Sequence, residues 1–77
     1  MKDEFKYEVK KIYGAITESE GYTTELRLIS FNGKAPKYDL RKWKKTDTGE
    51  IMLKGVPMTK DELLKLRNLL VEIGDAL

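Results

Sequence analysis

Basic and aromatic side chains alternate in the middle of this chain, in an arrangement that could bind nucleic acid. Between residues 34 and 45 one acid, Asp39, stands among six bases, which are Lys34, Lys37, Arg41, Lys42, Lys44 and Lys45. Trp43, the only tryptophan, lies in this stretch, and Phe31 precedes it. Unpaired bases stack on flat side chains while Lys and Arg follow the phosphates. A solvated lysine-rich surface is the alternative interpretation of the charge.

Residues for other kinds of chemistry are few. The chain has no histidine and no cysteine, which removes the usual general base near neutral pH, the commonest transition-metal ligands and disulfides. It also has no Gly-rich phosphate loop and no paired acidic motif. We therefore predict a protein that is not an enzyme and uses no metal, cofactor or small-molecule substrate. We interpret Asp39 as a salt-bridge partner of Arg41 or Lys37.

Four strands and one helix are predicted to position these residues. The first half alternates aromatic or β-branched residues with polar ones, and turn signals at Gly21, Asn32-Gly33 and Gly49 divide it. The predicted strands are residues 5–17, 23–31, 37–44 and 50–54. The alternation slips at residues 10–12, which indicates a β-bulge. The predicted fold class is α+β, with the order β-β-β-β-α.

Side-chain parity divides the strand residues between two faces of the sheet. The helix is expected to cover the face that carries Leu26, Leu28, Tyr38, Leu40, Ile51 and Leu53. The other face is expected to display to solvent Arg27, Phe31, Lys37, Arg41, Trp43 and Lys54. Stacking on bases is one use of such a face. The alternatives are that Trp43 and Phe31 close a second, minor core, or that the face contacts a protein partner.

The helix prediction depends on a capping box and an apolar stripe. Thr59 is the expected N-cap and Glu62 reaches back from three positions later. The apolar positions that follow are Leu63, Leu64, Leu66, Leu69, Leu70, Val71, Ile73, Ala76 and Leu77. They span about 240° of the helix, whereas about 100° is enough for a helix on one core. This width favours a homodimer. The alternative is that the additional apolar side chains are simply exposed at a frayed helix terminus.

Length and hydropathy predict one cytoplasmic domain over residues 1–77. A domain of this size has a marginal core, and small domains without disulfides or metals gain stability from oligomerisation. No run of about 18 apolar residues is present, so no membrane association is expected. The charged residues 1–4 are followed by no apolar h-region, which argues against a secretory signal.

Three segments together resemble the positive cofactor four family of transcriptional coactivators. Lys37-Tyr38-Asp39-Leu40-Arg41-Lys42-Trp43 resembles its aspartate-aliphatic-arginine strand, which ends in aromatics. Phe31-Asn32-Gly33-Lys34 resembles its phenylalanine-lysine-glycine-lysine hairpin. Residues 49–55 followed by a capped helix are similar to its fourth strand and terminal helix. The bacterial YdbC-like branch, in which an aromatic-asparagine-glycine hairpin precedes a proline-lysine-tyrosine-aspartate strand, is the most similar.

The resemblance implies a homodimer of curved antiparallel sheets, each backed by a helix, that binds single-stranded DNA with little sequence preference. Some members of the family act in transcription or DNA repair. Carried over, Phe31 and Trp43 would be stacking platforms, and Lys34, Arg41 and Lys54 would contact the backbone. Arg27 and Lys37 join this set from parity and charge alone. RNA binding, or an adaptor that uses the same face on an acidic protein, remains an alternative.

The chain departs from the family pattern at three places. Asn32 replaces a lysine that is common in the eukaryotic members, and Ala35-Pro36 lengthens the hairpin. The proline-glycine-basic stretch before the eukaryotic helix is shortened here to Lys54-Gly55. These differences lie at one edge of the expected DNA path, so the path is expected to differ there.

Overall fold

Four antiparallel strands lie side by side in chain order, and one helix follows them, which confirms the predicted order of elements. The computed structural model describes residues 5–77, so the charged residues 1–4 lie outside the described part. The elements are β1 (Tyr7–Ser19), β2 (Tyr22–Phe31), β3 (Lys37–Thr46), β4 (Gly49–Met58) and α1 (Lys60–Ile73), with a short 3-10 turn at Gly74–Ala76. β4 is twice as long as the predicted strand, and Pro57 lies within it at the edge of the sheet, where its missing N–H is tolerated.

β1 contains three bulges, of which the sequence indicated one. Extra residues at Lys10, Tyr13 and Ile16 shift the register against β2. Thirteen residues of β1 therefore pair with ten of β2. Bulges bend a strand and increase its twist, so β1 curls along the edge of the sheet. The slip in alternation at residues 10–12 was the visible trace of the first bulge.

The pairing register assigns the strand residues to two faces as parity predicted. One face, here called the Trp43 face, carries Arg27 opposite Asp39 and Glu25 opposite Arg41. The other, called the Leu26 face, carries Leu26 opposite Leu40 and Leu28 opposite Tyr38. Parity holds throughout β2 and β3. Besides the bulged β1, it fails in β4, where Arg41 pairs with Gly55 but Trp43 pairs with Met52.

The most buried side chains lie on the Trp43 face, which corrects the expectation that the whole of this face is displayed to solvent. Trp43, Ile29 and Asp39 are 0% exposed and Arg27 is 1% exposed. On the Leu26 face, Leu26, Leu28, Tyr38 and Leu40 are only half-buried. Ile51 is exposed there, and Met58, opposite Tyr38, is buried. The expectation of an exposed Arg27 and Trp43 is therefore wrong in this structure, because parity shows which side chains share a face but not which face is covered.

Curvature explains how Trp43 becomes covered. Trp43 lies opposite Thr23 in the register, whereas Tyr7 lies opposite Phe31, eight residues further along β2. Eight residues of flat strand would separate these positions by about 26 Å. The ring centroids of Tyr7 and Trp43 are nevertheless 5.8 Å apart, so the sheet curls toward this face. Within residues 5–77, Trp43 Nε1 is the buried side-chain donor that has no hydrogen-bond partner.

The guanidinium of Arg27 lies against the indole of Trp43 and is held by carboxylates from two strands. Its carbon is 3.9 Å from the ring centroid. Nη1 and Nη2 donate to the two oxygens of Glu50 at 2.7 and 2.9 Å, and Nε donates to Glu25 at 2.8 Å. Lys45 bridges the same two glutamates at 2.8 and 3.1 Å. Two cations and two anions therefore balance, as a buried charge requires. We call these four residues the Arg27 network.

The network shifts the pKa of each of its members toward the charged form. Hydrogen bonds from Arg27 lower the pKa of Glu50 to about 2. Burial tends to raise the pKa of Glu25, but hydrogen bonds from Thr23, Arg27 and Lys45 outweigh it and lower the pKa. The pKa of Lys45 is raised, chiefly by its hydrogen bond to Glu50. The four charges are thus coupled and stay ionised near neutral pH.

The helix begins with the predicted capping box. Thr59 Oγ1 accepts from the Glu62 N–H at 3.2 Å, and Glu62 Oε1 accepts from the Thr59 N–H at 2.8 Å. Among residues 5–77 the helix contacts β3, β4 and the terminal 3-10 turn, and none of its side chains is buried. The expected covering of the Leu26 face by the helix is therefore incomplete. The structure contains, within the same residues, no helix that is long and apolar enough to cross a membrane.

We expect acid to weaken the fold through Glu50. Its pKa falls from an ordinary 4.5 to about 2 on folding, so its contribution is complete above about pH 4.5 and is lost as the pH falls toward 2. Glu50→Gln keeps the shape and removes the charge. The free energy of unfolding in urea should be lower for this variant at pH 7, and the difference should close near pH 2. A difference that stays constant across that range would contradict this account.

Candidate nucleic-acid interface

An open groove of about 390 Å³ brings together four of the seven residues predicted to bind nucleic acid. Phe31, Lys34, Lys37 and Arg41 all line it. The remaining lining residues are Phe5, Asn32, Ala35 and Pro57. The groove therefore combines flat rings, cationic side chains and residues of the β2–β3 connection. Arg27, Trp43 and Lys54, the other three predicted residues, lie outside its lining.

A tight turn sets the positions of Phe31 and Lys34. The Lys34 N–H donates to the Phe31 carbonyl at 3.0 Å, and the two residues between them have positive φ, 52° at Asn32 and 75° at Gly33. This is the pattern of a type I′ turn, for which Asn-Gly is the preferred pair. Ser30 Oγ donates to the Lys34 carbonyl at 2.6 Å and fixes the far side of the turn.

Arg41 is held rigidly beside the groove. Nε and Nη2 donate to the two oxygens of the buried Asp39, each at 2.8 Å, which confirms Asp39 as the predicted salt-bridge partner. Nη1 donates to the Leu53 carbonyl at 2.8 Å, and the guanidinium carbon is 5.5 Å from the Phe31 centroid. Three of the five guanidinium N–H groups are thus used within residues 5–77, which leaves two for a ligand.

Gly55 gives Arg41 the space that it occupies. A Cβ at residue 55 would lie 2.5 Å from Arg41 Cβ, 2.7 Å from its Cγ and 2.8 Å from its Nε. Real side chains do not approach so closely, so only glycine fits opposite Arg41 in β4. A glycine inside a strand often marks the close approach of another group, and the sequence contained this signal.

The positive charge of the 34–45 segment is divided between several places. Arg41 is neutralised by Asp39, and Lys45 belongs to the Arg27 network. Lys42 and Lys44 lie opposite Thr24 and Tyr22, on the Leu26 face. Lys34 and Lys37 are exposed, line the groove and form no ion pair within the described part of the chain. These two lysines are therefore the exposed charges, not neutralised by an ion pair in the described residues, that the groove presents.

Lys54, which was predicted to contact the nucleic-acid backbone, lies next to a bulge in β4. β4 has an extra residue between the pairs Arg41–Gly55 and Trp43–Met52. This bulge places Gly55, and not Lys54, beside Arg41. Lys54 is exposed and lies away from the groove. Parity counting could not foresee the change, because one inserted residue reverses the faces that follow it.

Sequence reasoning missed three contributors to the site, which are Phe5, Asn32 and Gly55. Phe5 was treated only as the start of a strand, because its position across the sheet depends on the β1–β2 register. Asn32 was recognised as a turn residue, although its side chain also accepts from the Lys6 N–H at 2.9 Å. Polar bonds between strand ends of this kind leave no periodic signal in a sequence.

We expect Gly55→Ala to disturb Arg41. The new methyl group would overlap the Arg41 side chain and weaken its pair with Asp39, and overpacking of this kind costs about 1–3 kcal/mol. Gly14→Ala is the matched control, since a Cβ at that strand glycine meets no atom within 4 Å. Urea unfolding should show a loss for Gly55→Ala and a change within about 0.5 kcal/mol for Gly14→Ala. Equal stability of the two variants would refute the contact.

No protein-family model matches the chain, so the resemblance to positive cofactor four stays a prediction. The chain is 41% identical over 71 residues to an uncharacterized protein of Treponema pallidum (strain Nichols). The matched region covers 91% of this chain and 81% of the relative. At that identity and coverage, the chain belongs to the same family as the Treponema pallidum protein.

Proposed function

We propose that the protein binds single-stranded DNA in the groove beside the β2–β3 turn, with little sequence preference. The observation that carries the proposal is the convergence of Phe31, Lys34, Lys37 and Arg41 on one open surface. The sequence pattern predicts the same four residues as nucleic-acid contacts. A role in transcription or DNA repair, as in the family that the sequence resembles, would build on this binding.

The groove offers the two kinds of contact that single strands need. Phe31 is half-buried and supplies an aromatic surface for a base, while Lys34 and Lys37 are exposed and can follow phosphates. Duplex DNA hides the faces of its bases, so stacking favours the unpaired form. Every base has a π-face and every nucleotide has a phosphate, so such contacts carry little sequence information.

The second part of the proposal is that the working form is a homodimer. Only Ile29, Trp43 and Met58 are buried hydrophobic residues within residues 5–77, a small core for a domain of this length. Apolar side chains of the helix are exposed at the same time, with 56% for Leu69, 50% for Leu70 and 73% for Val71. A second copy that covers this stripe would supply the missing burial.

We expect binding to oligo-dT to weaken steeply with salt, because phosphate contacts release counterions. The logarithm of the affinity should fall with a slope of about −0.7 per phosphate contact. Lys37→Ala should reduce the magnitude of this slope by up to about 0.7. Lys42→Ala removes the same charge from the opposite face of the sheet and serves as the control. Equal effects of the two substitutions would show that only net charge matters and would exclude the groove.

Oligo-U, duplex DNA and an acidic peptide distinguish the alternatives in the same titration. Preference for oligo-dT over duplex supports the proposal, whereas equal binding of oligo-U and oligo-dT extends it to RNA. Binding of the acidic peptide but not of oligo-dT would make the protein an adaptor.

For the dimer, we expect sedimentation at micromolar concentration to show twice the mass of the 8.9 kDa chain. Leu70→Glu should split the dimer, because a charge would be buried without a partner. Asn68→Glu places the same charge at an exposed polar position of the same helix and should leave the mass unchanged. A single 8.9 kDa species for the unsubstituted chain would refute the dimer.

A further inference from the structure

Phe5 is a large apolar ring that lies exposed at the edge of the groove. It is 62% exposed, although it lines the same surface as Phe31, Lys34 and Lys37. Its ring centroid is 6.2 Å from that of Phe31, and the two planes are inclined by 36°. A base between two rings needs centroids about 7 Å apart, so the pair is too close to hold one. The outward surface of Phe5 is nevertheless open to a ligand.

Two hydrogen bonds hold the Phe5 segment against the turn. The Asn32 N–H donates to the Lys6 carbonyl at 2.8 Å, and the Lys6 N–H donates to Asn32 Oδ1 at 2.9 Å. The second bond uses a side-chain oxygen where a backbone carbonyl would serve in a regular ladder. Asn32 thus extends the pairing of β1 and β2 by one residue beyond Tyr7–Phe31. Phe5 is therefore positioned by the same turn that positions Phe31.

We propose that Phe5 is a second stacking residue, which takes the base next to the one on Phe31, and that Asn32 is the residue that positions it. This inference rests on the proposed function of the groove. Successive bases stack on successive aromatic side chains in proteins that bind single strands. The arrangement places Lys34 and Lys37 at the same groove for the phosphates of those nucleotides.

The experiment compares oligo-dT with an oligomer of the same length that carries abasic residues. Both have the same phosphates, but only oligo-dT can stack. Phe5→Ala should weaken oligo-dT binding by roughly 5- to 150-fold, which corresponds to the ~1–3 kcal/mol of one stacked base. It should leave the affinity for the abasic oligomer unchanged. Tyr22→Ala removes another exposed ring, one that does not line the groove, and should change neither affinity.

Asn32→Gly tests the positioning role. Glycine accepts the positive φ of this turn position but has no side-chain oxygen for Lys6. We expect weaker binding of oligo-dT, and in the Phe5→Ala background the same substitution should have no additional effect. If the two substitutions lower the affinity for oligo-dT by factors that multiply in the double variant, Asn32 does not act through Phe5.

The outcomes separate this inference from the function on which it rests. If the unsubstituted protein does not bind oligo-dT, the proposed function fails and the inference fails with it. If it binds and Phe5→Ala binds equally well, the groove stands and Phe5 has no part in it. If Phe5→Ala weakens both oligomers equally, Phe5 has a structural role and the stacking inference is overturned.

Discussion

The buried guanidinium of Arg27 is the group on which the rest of this sheet depends. A charge that is 1% exposed is tolerated only when it is paired with opposite charge and hydrogen-bonded. Glu25 on the same strand and Glu50 on β4 supply those partners, and the indole of Trp43 lies against the guanidinium plane. The Arg27 network therefore links β2 to β4 across β3 and supports the ring that Tyr7 covers. The covered face acts as a core although much of it is charged.

The sequence contained enough information for the order of the elements, the turn at Asn32-Gly33, the helix cap and the division of β2 and β3 residues between the two faces. These features are local or follow a fixed period, so they can be counted along a chain. Four predicted site residues, Phe31, Lys34, Lys37 and Arg41, indeed share one groove. Phe31, Lys34 and Lys37 lie at the β2–β3 connection, and Arg41 lies within β3 on the same face as Lys37, so one turn and one register determine their positions.

The positions of Arg27, Trp43 and Lys54 depend on sheet curvature, ion pairing and a bulge, which the alternation of residues along a strand does not reveal. The displayed face was inferred because the helix was expected to cover the opposite, more apolar face, but curvature and ion pairing bury Arg27 and Trp43. A bulge in β4 displaces Lys54 from the position that parity gave it. In β1 the residues on the Trp43 face after Tyr7 include Val9, Ile12 and Ala15, which are spaced by three and not by two because each bulge inserts one residue. From its sequence alone, a strand with this spacing cannot be distinguished from an irregular loop, because the spacing becomes interpretable only with the register of the neighbouring strand.

The same bulges have a consequence for the free edge of the sheet. β1 has only one neighbour, and its outward side could in principle recruit a strand from another molecule. A regular edge of thirteen residues with exposed Ile12, Tyr13 and Ile16 would be a template for aggregation. Interruptions at every third residue break the row of evenly spaced amide and carbonyl groups that an incoming strand must match. We therefore expect the bulges that curl the sheet over Trp43 also to disfavour the addition of another strand along β1.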